Sequence, residues 1–270
     1  MKAITRYPGA KWKLAEWIIS HFPADYEKMV YLEPFCGSGA VFFNKLPGAV
    51  EIVNDINSDI YNLFFILREC SEELKRRLEL TPYSREEYDN AFLPALDNVD
   101  KARKFIIRTT QAIGAKGGKN GWRNHKQKKI GGPACKWAGI TNTIDIAAKR
   151  LKGDTTHLVQ IENMDALRLI ERYNNSDVLM YLDPPYLPET RHCKHLYSHE
   201  MSKNEHIKML ELIAYSNAKI VLSGYDSQLY RKMLQGWKTV KTESRTTSTE
   251  IVTECLWLNY EPPFEQYTLF

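Results

Sequence analysis

A short apolar run, Val178–Leu182, stops abruptly at the sequence Asp-Pro-Pro-Tyr of residues 183–186, and this junction constrains the fold more than any other stretch. Two consecutive prolines can neither continue a central strand nor enter the interior of a regular helix. We therefore expect a strand over Val178–Asp183 that ends in a rigid, extended turn. In open α/β folds, ligands bind at the carboxyl edge of the sheet, which is where this turn would lie.

Other short apolar runs alternate with amphipathic helical stretches, a pattern typical of an α/β fold. One expected helix, Lys203–Tyr215, begins with a capping-box signature formed by Ser202 and Glu205. The remaining expected strands are Met29–Glu33, Val50–Asn54, His157–Ile161, Lys219–Ser223, Trp237–Thr242 and Glu254–Tyr260.

The alternation stops between about Leu67 and Lys152, where the sequence predicts helices only, among them an amphipathic one over Lys101–Ile113. A second capping-box signature, Ser84 with Glu87, lies in the same stretch. We expect residues 1–67 and 153–270 to form one domain and residues 68–152 to form an inserted helical domain.

The expected insertion carries most of the positive charge. Residues 101–150 contain thirteen Lys and Arg and a single acid, so they have a net charge of +12, whereas the whole chain has +4. The rest of the chain therefore sums to −8. A basic run is often only a solvated surface, but an excess this concentrated favours a polyanionic partner such as nucleic acid.

A glycine turn follows the first expected strand. Gly37-Ser38-Gly39 comes after Glu33, a helix is expected to begin there, and Asp55 follows the next strand. Glycines let the backbone approach a ligand, and an acid about 20 residues further on can bind ribose hydroxyls. An acid before the glycines would repel phosphate but could bind a cationic amino-acid group. The pattern predicts a nucleoside cofactor without a pyrophosphate, although an ordinary turn and a capping Asp remain the alternative.

The Asp-Pro-Pro-Tyr turn offers a carboxylate, a backbone carbonyl and an aromatic ring. Two acceptors suit an exocyclic amine with its two N–H donors, and a ring suits stacking on a planar base.

With these motifs in place, the sequence resembles the D12-class DNA adenine-N6 methyltransferases. The resemblance covers nearly the whole chain in order, from YPGAK, EPFCGSG and NDINSD through a variable basic segment to IENMDAL, YLDPPY and VLSGYDSQ. It implies a Rossmann-like methyltransferase sheet with an inserted target-recognition lobe. It also implies S-adenosylmethionine as cofactor and adenine N6 in double-stranded DNA as the methyl acceptor, in a flipped-out base.

The resemblance also implies roles for individual residues. The residues that match the catalytic tetrapeptide are Asp183, Pro184, Pro185 and Tyr186. Those that match cofactor-binding positions are Tyr7, Lys11, Glu33, Pro34, Phe35, Gly37, Gly39, Asp55 and Asp165. From its residues alone, the segment with Tyr7 and Lys11 is only a turn with a basic residue.

Two sets of residues in the insertion are candidates for DNA binding. Those expected mainly to hold phosphates are Lys116, Lys119, Lys126, Lys128 and Lys129, together with Arg123. Those expected to contact base edges are Trp122, Arg123, Asn124 and His125. For Trp122, a structural role as a buried anchor is an equal alternative.

Several other classes of function remain or are disfavoured. An amino-methyltransferase acting on cytosine N4, RNA or protein is one alternative, and a non-catalytic DNA-binding relic of the fold is another. Asp at the first position of the tetrapeptide favours adenine within the resemblance. His192, Cys193, His195 and His199 crowd one segment but lack paired-cysteine spacing, so we expect no metal.

The remaining expectations concern location and assembly. No apolar run approaches the length of about 18 residues needed for a membrane span. Five scattered cysteines argue against a disulfide framework and for a cytoplasmic protein. We expect a monomer, because action on one base needs no dimer.

Overall fold

The computed structural model describes residues 3–113, 119, 121–124, 132–190, 199–245 and 251–263. Within them, one sheet contains seven strands in the order β3-β2-β1-β4-β5-β7-β6. Their bounds are β1 Val30–Glu33, β2 Val50–Asn54, β3 Leu158–Glu162, β4 Val178–Leu182, β5 Lys219–Tyr225, β6 Lys238–Arg245 and β7 Ile251–Leu258.

The α-helices fall into two groups along the chain. Those before β3 are α1 Ala15–Ser20, α2 Ser58–Glu69, α3 Ser71–Glu79, α4 Arg85–Asn90, α5 Asn98–Gln111, α6 Pro133–Ala138 and α7 Ile144–Lys152. Those after β3 are α8 Ala166–Arg172, α9 Lys203–Ala214 and α10 Gln228–Met233. Among the described residues, no helix is both long enough and apolar enough to pass through a bilayer.

The sheet is covered on both faces, which explains why its central strands are apolar throughout. Strands β3, β2, β1, β4 and β5 are parallel, while β7 pairs antiparallel with both β5 and β6. On β4, Leu179 and Tyr181 join one buried cluster, and Met180 and Leu182 join the other. This alternation follows the two-residue period of a strand. It confirms the Rossmann-like α/β sheet expected from the sequence.

The strand order reverses between β1 and β4. From β1 the chain moves outward to β2 and β3, and then returns to place β4 on the other side of β1. The parallel register aligns Tyr31 with Leu179 and Leu32 with Met180, so both strands end at the same edge. Such a switch point leaves a crevice at the carboxyl ends of the strands, where open α/β sheets bind ligands.

Several local expectations are confirmed. Ser202 and Glu205 form a complete capping box at the start of α9. Ser84 also caps its helix, α4, by accepting from the backbone N–H of Glu87, but the Glu87 carboxylate pairs with Arg103 instead of closing the box. Strand bounds agree to within a few residues, and the last hairpin is displaced most.

The prediction of a helix directly after Gly37-Ser38-Gly39 is wrong. Residues 37–44 form consecutive turns and no α-helix. Gly37 and Gly39 adopt positive φ angles of 49° and 68°, which a right-handed helix does not allow. The backbone N–H of Phe42 donates to the carboxylate of Glu33 rather than to a preceding carbonyl. The segment is therefore shaped around the end of β1.

The insertion lies between β2 and β3 and contributes helices α3–α7. Helix α2 packs against α5 and α7. Its residues Leu63 and Leu67 share one buried cluster with Ile106 of α5 and Leu151 of α7. The insertion is thus attached to the sheet through a continuous apolar core, and its treatment as a separate DNA-recognition domain remains a prediction.

Candidate active site

A cleft of about 550 Å³, partly open to solvent, lies at the carboxyl edge of the sheet beside the switch point. Residues from the ends of β1, β2 and β4 and from the N-terminal segment line it together. The predicted site residues in its lining are Tyr7, Lys11, Glu33, Phe35, Gly37, Asp55, Asp183 and Pro185.

Lys11 and Asp183 form the charged centre of this cleft. The Lys11 ammonium donates to both carboxylate oxygens of Asp183, at 2.8 Å and 3.0 Å, and to the carbonyl of Gly9 at 3.0 Å. Lys11 is 6% exposed and Asp183 17%. Burial raises the pKa of Asp183, and the adjacent Lys11 ammonium opposes that increase by favouring the ionised carboxylate.

Tyr186 lies behind this ion pair rather than in the cleft lining. Its ring is buried, with the Lys11 Nζ 4.6 Å from its centroid and the Tyr225 ring at 4.7 Å in an edge-to-face arrangement. Its hydroxyl donates to Oε2 of Glu254 at 2.7 Å. The tetrapeptide thus has its aromatic ring fixed by groups from three other parts of the chain.

Glu33 ends β1 and is almost fully buried. Its Oε2 accepts from the hydroxyl of Tyr31 at 2.6 Å and from the backbone N–H of Phe42 at 3.1 Å. Burial raises the pKa of Glu33 to about 8, against the opposing effect of these donors. Because this pKa is close to neutral pH, a cation bound next to the Glu33 carboxyl group would favour its ionised form.

Asp55 organises the turn that contains the glycines. Its Oδ2 accepts from the backbone N–H of Gly37 and its Oδ1 from that of Asn57, both at 2.8 Å. Burial raises its pKa, while these two donors and His199 oppose that increase. A Cβ on Gly37 would lie 3.1 Å from the Tyr7 ring, so glycine is required for this close approach.

The other predicted site residues lie outside the cleft lining, and four of them support it. Pro34 accepts from the side-chain amide of Asn54 at 2.8 Å, Pro184 is buried, and Gly39 occupies its positive-φ turn. Asp165 is exposed and caps α8 by accepting from the backbone N–H of Leu167. With Tyr186, these are the four residues that support the lining from outside: Pro34, Gly39, Pro184 and Tyr186. The expected contact of Asp165 with the cofactor stays a prediction.

Sequence reasoning missed several residues of the site. Tyr181 lines the cleft, and its place two residues before Asp183 on the same face of β4 could have signalled this. His199 also lines the cleft. His206 of α9 is fully buried, and its Nε2 donates to the carbonyl of Pro185 at 3.0 Å. No local sequence signal identifies His206, because its partner is 21 residues away.

The described part of the basic segment within residues 114–131 consists of residues 119 and 121–124. Trp122 is half-buried, donates its indole N–H to Gln111 at 3.0 Å, and packs against Tyr83 and the guanidinium of Arg85. These are the contacts of an anchor, and base contact by Trp122 stays a prediction.

Two arginines approach each other near this segment. Burial, and then the positive charge of Arg123, lower the pKa of Arg6, so the two guanidinium groups lie within electrostatic range. Lys119 and Asn124 are exposed. Predicted DNA-binding residues outside the described part of the chain are Lys116, His125, Lys126, Lys128 and Lys129.

The cleft has an acidic lining with few cations. Glu33, Asp55 and Asp183 face Lys11 and His199. Such a lining suits a cationic ligand better than a phosphate. Within the described residues, no group of three His, Cys, Asp or Glu side chains could hold a metal ion, and His192, Cys193 and His195 lie outside those residues.

A doubly wound sheet with an acid at the end of β2, a glycine turn after β1 and an Asp-Pro-Pro-Tyr turn at its switch point is the arrangement expected of a nucleoside-binding α/β enzyme. Comparison with known families makes this specific. The profile of the D12 class N6 adenine-specific DNA methyltransferases matches residues 7–249. The chain belongs to that family and is an adenine-specific DNA methyltransferase.

Individual relatives agree with the family. The chain is 22% identical to the type II methyltransferase M1.LlaDCHI of Lactococcus lactis, over 96% of each chain. It is 21% identical to the type II methyltransferase M.MjaIII of Methanocaldococcus jannaschii, over 91% of this chain and 92% of that one. A DNA adenine methylase of Serratia marcescens is 36% identical over 28% of this chain and 26% of its own length.

Among solved structures, the rRNA methyltransferase aviRa of Streptomyces viridochromogenes gives a TM-score of 0.43 at 14% identity. The match covers 93% of this chain and 85% of that one. The substrate class rests on the family match and not on this weak likeness.

Proposed function

We propose that this chain transfers the methyl group of S-adenosylmethionine to N6 of an adenine flipped out of double-stranded DNA, in the cleft at the switch point. The observation that carries the proposal is the convergence of Glu33, Asp55 and Asp183, from three strand ends, on one cleft that also contains Lys11. We also propose that the enzyme acts as a monomer.

The cleft fits the cofactor by charge and by hydrogen-bonding capacity. Asp55 has further lone pairs beyond those used by Gly37 and Asn57, so it can accept from ribose hydroxyls. Within the part of the chain that the structure describes, both hydrogen bonds to Glu33 fall on Oε2, so Oε1 can accept from a cationic group. When bound, S-adenosylmethionine supplies an electrophilic methyl group on a positively charged sulfur.

The Asp-Pro-Pro-Tyr turn acts on the target base. Asp183 and the backbone carbonyl of Pro184 accept the two N6–H bonds of adenine, which draws the nitrogen lone pair out of conjugation with the ring. Asp183 would take the proton that N6 loses when it gains the methyl group, and S-adenosylhomocysteine would be the other product. Each carboxylate oxygen has two lone pairs, so Asp183 can keep its bonds to Lys11 while it accepts from the base. Tyr186 is buried behind the Lys11–Asp183 pair. Its ring must become accessible when the base enters and then stack on it, which would stabilise the flipped state by about 1–3 kcal/mol. Positioning and electrostatics therefore supply most of the catalysis.

The basic insertion holds the DNA backbone. Arg6 and Arg123 bring two positive charges into proximity, and a phosphate group would relieve their repulsion. Lys119 is exposed at the edge of the same segment. Flipping costs a few kcal/mol, and these phosphate contacts together with the stacking offset that cost.

The proposal is tested by transfer of a labelled methyl group from S-adenosylmethionine to unmethylated genomic DNA, with the product nucleosides separated. We expect label in N6-methyladenine. Asp183→Asn should abolish transfer while it leaves cofactor binding intact. Asp177→Asn, at the exposed position just before β4, should behave as wild type.

Two outcomes would overturn parts of the proposal. Label in N4-methylcytosine would refute adenine as the target. Turnover retained by Asp183→Asn would refute the role of Asp183.

A further inference from the structure

The Tyr186 ring is held by contacts that the methyl-transfer mechanism above does not use. Its hydroxyl donates to Oε2 of Glu254 at 2.7 Å, and both residues are buried, at 5% and 8% exposure. A hydrogen bond from a neutral donor to a carboxylate is among the stronger ones in proteins. Sixty-eight residues separate the two in the chain, so the bond ties the catalytic turn after β4 to strand β7.

Glu254 is itself placed by the sheet. On β7 it pairs directly with Tyr225 of β5 in the antiparallel register. Tyr225 makes the edge-to-face contact with Tyr186, at 4.7 Å between centroids and 73° between ring planes. Glu254 and Tyr225, which face each other across β7 and β5, therefore both hold the Tyr186 ring. Glu254 binds the hydroxyl of Tyr186, and Tyr225 packs edge-to-face with its ring.

We propose that Glu254 is a positioning residue for methyl transfer, which fixes the position of the Tyr186 ring through its hydroxyl so that the flipped base stacks in register with Asp183. This inference rests on the proposed function. A tyrosine ring rotates about two side-chain bonds. The hydrogen bond from the hydroxyl to Glu254 restricts the first rotation and so fixes where the ring lies, while the edge-to-face contact with Tyr225 restricts the second. Lys11 bonds Asp183 and also lies over the Tyr186 ring, so a displacement of the ring would be transmitted to the carboxylate that accepts from the base.

A positioning role makes specific predictions for steady-state kinetics on unmethylated genomic DNA. Glu254→Ala should lower kcat by about tenfold to a hundredfold, the effect of one charge-assisted hydrogen bond. Glu254→Gln keeps an acceptor for the hydroxyl and should restore most of kcat. The dissociation constant for S-adenosylmethionine should stay within about threefold of wild type in both variants, because Glu254 does not line the cleft.

A double-mutant cycle separates positioning from general structural support. Tyr186→Phe removes only the hydroxyl and should reproduce the loss of kcat. Addition of Glu254→Ala to Tyr186→Phe should then cost little more, since the interaction is already gone. Glu243→Gln, which removes the same charge at an exposed position of the adjoining strand β6, should match wild type.

Other outcomes would refute the inference. Losses of kcat that multiply in the double variant, or wild-type kcat in Tyr186→Phe, would show that Glu254 does not act through the hydroxyl. The Tyr186→Phe result holds even if Glu254→Ala fails to fold. A wild-type enzyme that does not methylate adenine would instead refute the proposed function itself, so the two failures are distinguishable.

Discussion

The ammonium group of Lys11 bonds both carboxylate oxygens of Asp183, although 172 residues separate them in the chain. Burial raises the pKa of Asp183, and Lys11 provides the largest opposing effect. Asp183 must be ionised to accept both its cation and an amine N–H. The pair therefore sets the lowest pH at which the site can work.

Replacement of Lys11 by Met should raise the lowest pH at which the enzyme is active. Without the cation the pKa of Asp183 rises further, so a larger share of the enzyme is protonated at a given low pH. We expect kcat/KM to fall by at least about tenfold at neutral pH and its acidic limb to move to higher pH. Lys13→Met, at an exposed neighbour, is the control. A pH profile of Lys11→Met that superimposes on wild type would contradict this role.

Glu33 should make stability depend on pH. Burial raises its pKa from 4.5 to about 8, so between these values the folded state binds a proton that the unfolded state has lost. Its contribution to stability is therefore complete below about pH 4.5 and decreases as pH rises to about 8, with a slope of at most about 1.4 kcal/mol per pH unit.

Glu33→Gln keeps an acceptor for Tyr31 and Phe42 but cannot titrate. Urea unfolding of both proteins at intervals from pH 5 to 8 should show a difference in the free energy of unfolding that changes steadily in favour of the variant. Parallel curves would mean that Glu33 titrates normally. Cofactor affinity measured over the same range should increase with pH in wild type alone, since a bound cation favours the ionised carboxylate.

Gly153 should tolerate no side chain. It ends α7 with φ of 65°, and a Cβ there would collide with the carbonyl oxygen of His157. Gly236 has φ of 84° but no atom within 4 Å of the same Cβ position. Gly236→Ala should therefore cost about 1–2 kcal/mol for the backbone conformation alone. Gly153→Ala should cost at least ~2 kcal/mol more, as measured by denaturant unfolding. Equal losses would show that the turn into β3 relaxes freely.

The sequence predicts those features of this enzyme that depend on neighbouring residues. The apolar run before Asp183 marks a central strand because both of its faces are covered, and Ser202 with Glu205 marks the start of α9 because a capping box closes within one turn. The acid at the end of β2 likewise follows from the order of elements. These signals place Asp55 and Asp183 at one edge of the sheet.

The other features depend on tertiary packing, which local patterns do not report. Lys11 has no distinguishing local feature, and only the resemblance indicated a role for it. Glu254 and His206 support the Asp-Pro-Pro-Tyr turn from β7 and α9, at separations that no periodicity encodes. The prediction of a helix after Gly39 is wrong for a related reason. The backbone N–H of Phe42 donates to the Glu33 carboxylate, a tertiary contact that the local sequence does not reveal.

A buried charge cluster links the insertion to the sheet and should make a large contribution to the free energy of unfolding. Glu51 of β2 is fully buried and pairs with Lys45, with His157 and, through both oxygens, with Arg150 of α7. Arg150 also donates to the carbonyl of Phe42, whose N–H bonds Glu33 of the cleft. The cluster therefore connects the last helix of the insertion to the cleft at the carboxyl edge of the sheet.

Glu51→Gln leaves Lys45 and Arg150 buried without their anion. We expect it to lower the free energy of unfolding by about 3–5 kcal/mol, the usual cost of breaking a buried ion pair from one side. Lys75→Met, on α3, breaks an exposed ion pair with Asp145, which lies on α7 like Arg150. It should leave stability almost unchanged because solvent screens that pair. If Glu51→Gln is as stable as Lys75→Met, the insertion is held by its apolar contacts with α2, and the charge cluster serves some purpose other than stability.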